Sequence, residues 1–173
     1  MMTPGGHCEE CGVELRTAST GRPKRFCGQT CRKRASRRPK FPAEMTERRT
    51  WVRCAGKRPL MVDGKSASTT DPGTWASFSD VQSGAGDGFG VMLGNGLGCY
   101  DLDHVTDESA ARFIGSVPEP VLFCERSVSG EGVHVFVLMP ESRGSVLRRA
   151  DGSRVERYSF GRFIRTTGIE FKA

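Results

Sequence analysis

Two aspartates separated by one residue, Asp101 and Asp103, are the clearest candidates for chemistry in this chain of 173 residues. They end an apolar run, and in a β-strand the side chains of residues i and i+2 project from the same face. Two carboxylates side by side repel each other, and a bound cation relieves that repulsion. The pair therefore indicates a Mg²⁺ or Mn²⁺ site, although a polar strand end that runs into a loop has the same pattern.

Four of the seven cysteines form two close pairs with the spacing C-x2-C-x15-C-x3-C. Zn²⁺ takes four thiolates in a tetrahedron, and two cysteine pairs on separate turns supply that geometry. We expect His7, beside the first pair, to be exposed to solvent. So small a segment buries little apolar surface, and the metal should supply most of its folding free energy. The predicted zinc ligands are Cys8, Cys11, Cys27 and Cys31.

A basic segment follows the second cysteine pair, and residues 31–38 are predicted to form a helix that Pro39 ends. Basic side chains on a helix of a zinc module typically contact nucleic-acid phosphates. No pattern in this helix predicts base-specific recognition. The candidates for nucleic-acid contact are Arg32, Lys33, Arg34, Arg37 and Arg38.

Charge divides the chain near residue 58. Residues 1–58 hold 15 Lys and Arg against 5 Asp and Glu, a balance of +10, and residues 59–173 hold 11 against 15, a balance of −4, which gives a net charge of +6. A basic N-terminal module that binds nucleic acid, ahead of a mildly acidic body that binds cations, fits this division. A basic tail that serves only solubility is the alternative.

Composition argues against a membrane protein and against a secreted one. Hydrophobic residues make up 36% of the chain, and no apolar run approaches the roughly 20 residues of a membrane span. The N-terminus has no apolar signal core, so we expect a cytoplasmic protein, whose cysteine pairs then read as metal ligands before disulfides. The length allows one domain of ordinary size with a small appendage.

Apolar runs and turn signals predict the elements that must position these side chains. The run at 90–93, a Gly-Asn-Gly turn and the run that ends at Asp103 predict a β-hairpin. A helix at 73–80 should turn Trp75 and Phe78 toward the core. Residues 41–50 are predicted to link a zinc module at 1–40 to a main domain at 51–173. Further strands are predicted at 51–54 and 121–125 and across 154–168, and further helices near 43–49 and at 106–115.

A loop rich in serine and glycine, residues 127–132, opens directly into a strand with His134 near its start. Glycines let backbone N–H groups approach a bound anion, Ser129 adds a hydroxyl donor, and His134 adds a donor that is positively charged when protonated. These features indicate a triphosphate cradle, or else a glycine-rich hairpin with an isolated histidine. Downstream, Glu156 is a candidate third carboxylate for the metal, and Arg162 is a candidate guanidinium for phosphate.

Taken together and in this order, these motifs resemble the archaeo-eukaryotic primase superfamily, and most of all the primase–polymerases that phages and plasmids encode. The resemblance begins near Trp51 and reaches the C-terminus. The motifs that carry it are Asp71-Pro72-x-x-Trp75, Asp101-Leu102-Asp103-His104, Ser127-x-Ser129-Gly130-x-Gly132-x-His134, and Glu156 followed by Gly161-Arg162-Phe163 and Thr167-Gly168.

The resemblance implies a role for each candidate residue. It makes Asp101, Asp103 and Glu156 the metal-binding acidic residues and His134 the nucleotide-binding histidine, with Ser129 and Gly130 at the triphosphate and Arg162 near the incoming nucleotide. It implies nucleotidyl transfer with two Mg²⁺ or Mn²⁺ ions, from nucleoside triphosphates, on a single-stranded DNA template in phage or plasmid replication. The implied fold is α+β, an antiparallel RRM-like sheet with flanking helices behind the zinc module.

Two departures from the family pattern leave the activity of this chain open. The sequence stops five residues after Gly168, whereas family members usually continue into a helical region or a helicase, and the zinc module precedes the core. We therefore expect either a minimal catalytic subunit, whose helicase or helical primase partner is a separate polypeptide, or a nucleotide site without processive synthesis. A zinc-dependent nucleic-acid-binding adaptor with a degenerate primase body and a metal-dependent nuclease are the alternative functions.

Overall fold

The structure, a computed structural model, describes residues 6–8, 11–15, 24–37, 41–149 and 152–173. They belong to two compact units, one within residues 1–39 and one within residues 40–173. Within these ranges no helix combines the length and the apolar character that crossing a membrane requires. Arg38 and Pro39, where the basic helix was predicted to end, lie outside the described residues.

One tight turn and one helix form the described part of the first unit. Gly12 adopts a φ of +71°, and its N–H donates to the carbonyl of Cys8 at 2.8 Å. Helix α1, Gln29–Arg37, carries Cys31 in its first turn, as predicted. The apolar cluster is small, with Leu15, Cys8 and Cys31 buried and Phe26 partly buried.

The second unit is α+β with antiparallel sheets, which confirms the predicted fold class, and its strands divide into two sheets. One sheet has the order β2-β1-β3-β9 and the other the order β5-β6-β4-β8-β7. Its helices are α2 (Ala43–Thr46) and α3 (Asp107–Ser116). In chain order the strands are β1 (Trp51–Ala55), β2 (Arg58–Leu60), β3 (Gly88–Met92), β4 (Leu97–Asp103), β5 (Val121–Arg126), β6 (Val133–Leu138), β7 (Ser145–Arg148), β8 (Arg154–Tyr158) and β9 (Phe163–Arg165).

The five-stranded sheet lies between two apolar layers. On one face, Leu102 and Val155 belong to a buried cluster with Ala110 of α3. On the other face, Cys99 and neighbouring residues join a buried cluster with Trp51 of the four-stranded sheet. Because side chains alternate along β4, Asp101 and Asp103 share the face of Cys99, which is turned toward the four-stranded sheet.

The hairpin predicted across 90–103 forms only at its turn. Asn95 and Gly96 have φ values of +53° and +84°, as in a type I′ turn, and Gly94 and Leu97 exchange backbone hydrogen bonds of 3.1 and 3.0 Å. Beyond the turn the prediction is wrong, because β3 enters one sheet and β4 the other. Gly90 contributes to this separation, since a Cβ there would lie 2.1 Å from the carbonyl of Ile164 in β9.

The two strands predicted across 154–168 form, but they too enter different sheets. β8 pairs with β4 and β7, whereas β9 pairs with β3. The short connection between β8 and β9, like the turn between β3 and β4, therefore passes from one sheet to the other. Gly161 and Arg162, in the connection between β8 and β9, line a cleft of the second unit.

The prediction of a helix at 73–80 is wrong. Asp71 instead accepts the N–H of Gly73 at 2.9 Å and caps a 3-10 turn, Pro72–Thr74. The chain then extends, and Ala76 exchanges backbone hydrogen bonds of 3.1 and 2.8 Å with Trp51. Pairing with β1 thus satisfies the backbone that a helix would have used. Both aromatic side chains of this segment pack on apolar clusters, as predicted.

Residues 41–50, predicted as a linker, contribute to the core of the second unit. The rings of Phe41 and Trp51 lie 5.0 Å apart. Met45 is fully buried, and its carbonyl accepts the indole N–H of Trp51 at 2.9 Å. The spacing of Phe41 and Met45, four residues apart, is the signal that would have indicated a packed helix face.

Candidate active site

Strand register brings the predicted carboxylates and histidine onto one face of the five-stranded sheet. Asp101 lies opposite His134 of β6 on one side and opposite Glu156 of β8 on the other. Directly opposed residues of antiparallel strands share a face, and Asp103, two residues along β4, shares it as well. Side chains that are distant in sequence therefore form one row across three strands.

A buried carboxylate that the sequence did not reveal holds His134. Glu125 of β5 is fully buried, and its Oε1 lies 2.9 Å from Nδ1 of His134. Its Oε2 accepts the N–H groups of Thr167 at 3.0 Å and Gly168 at 2.7 Å. Glu125 closes the apolar run Val-Leu-Phe-Cys, and a charge inside a buried strand requires a partner, which is the signal that would have found it.

The second ring nitrogen of His134 points toward the aspartates, with Nε2 3.7 Å from Oδ1 of Asp101. Burial alone would lower the pKa of His134, but the hydrogen bond and the charge of Glu125, together with the charge of Asp101, outweigh burial and raise it. The imidazolium form is therefore favoured more than in a free histidine, and in that form Nε2 is a positively charged donor on the side of Asp101.

Burial also raises the pKa of Asp101; the charges of Asp103 and Glu156 raise it further, although the charge of His134 opposes them. This mutual repulsion among carboxylates is what a divalent cation relieves. Their hard oxygen donors suit Mg²⁺ or Mn²⁺. The side chains present therefore fit such an ion.

Two arginines already contact these carboxylates. Nε of Arg154, on β8, lies 3.1 Å from Oδ2 of Asp103 and 3.1 Å from Oε1 of Glu156. Arg162 lies 3.7 Å from Oε2 of Glu156 and stacks 4.5 Å from the centre of the Tyr158 ring. The hydroxyl of Tyr158 donates to Oε2 of Glu156 at 2.7 Å. Glu156 is thus held by three neighbours and is only 6% exposed.

A cleft of about 710 Å³ opens over this face. Asp101, Asp103 and His134 line it from the five-stranded sheet, and Lys57, Arg162 and Arg165 also line it. Glu156 is not among the residues that line the cleft. Carboxylates on one side of the cleft and cations on the other suit a ligand that carries both a bound metal ion and negatively charged phosphates.

The serine–glycine loop reaches the same cleft. Ser127 and Ser129 line it, with their hydroxyls 3.0 Å apart. Gly130 has a φ of +81° and donates its N–H to the carbonyl of Ser127 at 3.0 Å, so this N–H serves the turn. A Cβ at Gly132 would lie 2.5 Å from the carbonyl of Leu102, and the missing side chain lets the loop approach β4.

The cysteines of the first unit form a separate cluster. The sulfurs of Cys8, Cys11, Cys27 and Cys31 all lie within 4.8 Å of one another, and within the described ranges no other group of three or more His, Cys, Asp or Glu meets that distance. Cys27 lies 3.6 Å from the Cys11 sulfur and 3.4 Å from the Cys31 sulfur. The neighbouring thiol of Cys27, followed by burial, raises the pKa of Cys31 to about 12. A bound cation would hold these thiols as thiolates.

The remaining candidates are His7 and the basic residues between positions 32 and 38. His7 is exposed and stands outside the cysteine cluster. Arg37 is the last residue of α1, and Arg38 lies outside the described residues. Arg32, Lys33 and Arg34 are exposed on α1. Their contact with nucleic acid stays a prediction.

Residues 35–172 match the protein family described as "Bifunctional DNA primase/polymerase, N-terminal". The chain is also similar to a DNA primase-polymerase of Nitratiruptor phage NrS-1, with 34% identity over 123 residues that cover 63% of this chain and 17% of that protein. The chain thus spans less than a fifth of the length of this relative. The family match confirms the predicted relationship and leaves the four cysteines outside the matched range.

Proposed function

The chain belongs to the bifunctional DNA primase/polymerase family, and we propose that its second unit makes or extends primers on single-stranded DNA. The observation that carries this proposal is the row of Asp101, His134 and Glu156 across three adjacent strands. Asp101 and His134 of this row line a cleft that Arg162 and Arg165 also line. The reaction is nucleotidyl transfer. A bond forms between the primer 3′-oxygen and the α-phosphorus of a nucleoside triphosphate, pyrophosphate leaves and the hydroxyl proton is released.

Asp101 and Asp103 would hold the Mg²⁺ or Mn²⁺ ions, with Glu156 as the third carboxylate. When bound, these ions neutralise the triphosphate and make the 3′-hydroxyl a better nucleophile. The raised pKa of Asp101 supports this assignment, because the site stabilises carboxylates only weakly by itself. Arg154 contacts Asp103 and Glu156 and offsets part of their charge.

The triphosphate would lie on the β6 side of the aspartates. There His134, charged and oriented by Glu125, donates a hydrogen bond to a phosphate oxygen, and Ser129 adds its hydroxyl. Arg162 brings a second positive charge from the other side of the cleft. These residues position the reacting groups and stabilise developing charge, which is how most of the acceleration of phosphoryl transfer arises.

We propose zinc as the ion of the cysteine cluster. Sulfurs bound to one Zn²⁺ at about 2.3 Å in a tetrahedron lie about 3.8 Å apart, close to the separations of 3.6 and 3.4 Å that this cluster has. The exposed cations of α1 would then contact template phosphates. A helicase or helical primase subunit is the proposed protein partner.

A primer-synthesis and primer-extension assay on single-stranded DNA tests the function. Ribonucleotides and deoxyribonucleotides are each supplied with Mg²⁺ or Mn²⁺, and wild type is compared with Asp103→Ala. Glu108→Gln is the matched control, because it removes an exposed carboxylate of α3, on the opposite side of the sheet. We expect nucleotide addition by wild type and by Glu108→Gln alone. Degradation of DNA without addition would indicate a nuclease, and binding without either reaction would indicate an adaptor.

A further inference from the structure

Arginine is concentrated in one segment of the second unit. Residues 143–165 contain 7 arginines and 2 acidic residues, whereas the other residues of 59–173 contain 4 Lys and Arg against 13 Asp and Glu. A basic segment within an acidic body indicates contact with a polyanion. The proposed chemistry uses only part of it, through Arg154 and Arg162.

Five of the seven arginines have partners inside the protein. Arg143 and Arg148 are exposed, and neither makes an ion pair with any residue that the structure describes. Unpaired, exposed guanidinium groups are the ones available to phosphate. The partnered arginines are Arg149 over the Phe113 ring, Arg154 with Asp103 and Glu156, Arg157 with Glu119, Arg162 with Glu156, and Arg165 with Asp87.

Arg148 stands on the same face of the sheet as the proposed catalytic carboxylates. It lies opposite Arg154, and Val146 lies opposite Glu156. β7 thereby extends two rows that begin at β4, one from Asp103 through Arg154 and one from Asp101 through Glu156. Two strand spacings, about 10 Å, separate β7 from β4. Every residue of β7 is exposed, and Val146 is 53% exposed.

The in-line geometry of the reaction determines which ligand lies over this face. In phosphoryl transfer the attacking oxygen and the leaving oxygen lie roughly in line on opposite sides of the phosphorus. His134 and the serine–glycine loop place the triphosphate on the β6 flank of the aspartates, so the 3′-oxygen approaches from the opposite flank. The primer that carries it therefore extends over β8 and β7.

We propose that the exposed face of β7, formed by Val146 and Arg148, binds the backbone of the primer strand behind its 3′ end. Arg148 contacts a phosphate and Val146 packs against the adjoining sugar. This inference rests on the proposed function, because it takes the position of the 3′-hydroxyl from it. The basic helix of the first unit is a different surface and is not required for this contact.

Neighbouring arginines provide the test. Arg148→Ala removes the proposed contact and Arg148→Lys preserves its charge, whereas Arg149→Ala removes an equal charge from the side chain that faces Phe113 of α3. Binding of the full chain, purified with the zinc proposed for its cysteine cluster, to a labelled primer–template is measured by fluorescence anisotropy over a series of salt concentrations. No nucleotide or magnesium is added, so no synthesis occurs.

One phosphate contact contributes about 0.9 to the magnitude of the slope of log K against log salt. A contact of this kind raises the affinity about eightfold when the salt concentration falls from 1 M to 0.1 M. We expect Arg148→Ala to reduce the salt slope by about 0.9 and the affinity at 0.1 M salt by about eightfold. Arg148→Lys and Arg149→Ala should bind with a slope and an affinity close to those of wild type. In primer extension, Arg148→Ala should raise KM for the primer–template and leave KM for the nucleotide unchanged. Because Arg148 is exposed, the melting temperature should not change.

Two outcomes overturn the proposal: unchanged binding by Arg148→Ala, or equal losses by Arg148→Ala and Arg149→Ala. The first would mean that the primer lies elsewhere, and the second that only net charge matters. Both are distinguishable from failure of the proposed function, because that failure appears as absent synthesis by wild type. If synthesis is absent and Arg148→Ala still weakens binding selectively, the DNA surface stands and the assigned reaction does not.

Discussion

The two clusters of candidate metal ligands are built in opposite ways. The cysteine sulfurs lie within 4.8 Å of one another, in a unit whose described apolar cluster holds only Cys8, Leu15, Cys31 and Phe26. The carboxylates come from two strands of a sheet with an apolar layer on each face, and Arg154 and His134 offset their charge. In the first unit the ion should make the fold, whereas in the second the fold makes the site and the ion only completes it.

The largest expected effect follows for the first unit. Cys31→Ser should abolish its fold, because structural zinc typically contributes about 10–16 kcal/mol of apparent binding free energy to modules of this kind. The second unit should keep its fold. Backbone NMR spectra with and without zinc, together with the metal content of the purified protein, measure the difference.

Cys124→Ala is the matched control for this prediction, since Cys124 lies on β5 and outside the cysteine cluster. It should retain one zinc per chain and lose only the small amount of stability that a partly buried thiol contributes. A first unit that stays folded in Cys31→Ser would mean that its apolar residues suffice, and the contrast between the two clusters would disappear.

The second largest effect concerns the carboxylates. Asp101→Asn should lower nucleotide addition by about 10³-fold or more, since a lost ligand costs several kcal/mol of transition-state stabilisation and each 1.4 kcal/mol is a factor of ten. The melting temperature should not fall. Burial raises the pKa of Asp101 in the folded protein, so the ionised carboxylate costs stability at pH values above its ordinary value of 3.8.

Glu108→Gln is again the control, and it should match wild type in activity and in melting temperature. Strong destabilisation by Asp101→Asn would show that the carboxylate supports the fold. Activity close to that of wild type would remove Asp101 from the metal site. Either result would contradict the statement that the fold of the second unit forms a metal site without depending on it.

The parts of this architecture that the sequence predicts are those coded within a few residues. The cysteine spacing and the Asp-x-Asp pair identify both clusters, and Thr106 caps α3 as its position before an acidic first turn indicates, accepting the N–H of Ser109 at 3.2 Å. Strand partners are coded over long distances. β3 pairs with β9, which approaches closely at Gly90, and this pairing gives no local signal.

For the same reason the sequence predicts site roles for Glu156 and His134 but misses the residues that contact them, Arg154 and Glu125. Glu125 contacts His134 only because of the register of β5 on β6, and Arg154 contacts Asp103 only because of the register of β8 on β4. A family resemblance predicts which residues contact substrate, whereas their supporting partners follow from the pairing of strands. The next two predictions concern these two supporting residues.

Glu125→Gln should lower catalytic efficiency by about 10–100-fold. This is the range for groups that hydrogen-bond to a metal-binding histidine through its other ring nitrogen, and we expect Glu125 to orient His134 in the same way. Glutamine can still accept the N–H groups of Thr167 and Gly168, but its NH₂ donates to Nδ1 of His134 and favours the neutral imidazole. The loss should appear mainly in KM for the nucleotide. NMR titration of His134 without added magnesium should show a lower pKa in the variant.

Stability should change with pH in a matching way. Because Glu125 raises the pKa of His134 above 6.5, the stabilisation is fully present below pH 6.5 and is lost as the pH rises through the raised value. The unfolding free energy of wild type should therefore approach that of Glu125→Gln as the pH increases beyond 6.5. Glu131→Gln is the control, since Glu131 and His104 form an exposed pair at 3.5 Å that should contribute little at any pH.

The smallest expected effect concerns Arg154, which already occupies part of the second cluster. The guanidinium of Arg154 contacts both Asp103 and Glu156 and should compete with the divalent ion for these carboxylates. Arg154→Gln should then bind Mn²⁺ more tightly, by up to about fivefold, because a partly exposed ion pair is worth at most about 1 kcal/mol. Electron paramagnetic resonance of free Mn²⁺ measures this without any turnover.

Arg157→Gln controls for charge, because Arg157 lies on the same strand and turns the other way, toward Glu119 at 3.6 Å. It should leave the affinity for Mn²⁺ close to that of wild type. Weaker binding by Arg154→Gln would show that the guanidinium organises the carboxylates for the ion instead of competing with it. The second cluster would then resemble the first more closely than the geometry suggests, since both would need a cation in place before their ligands converge.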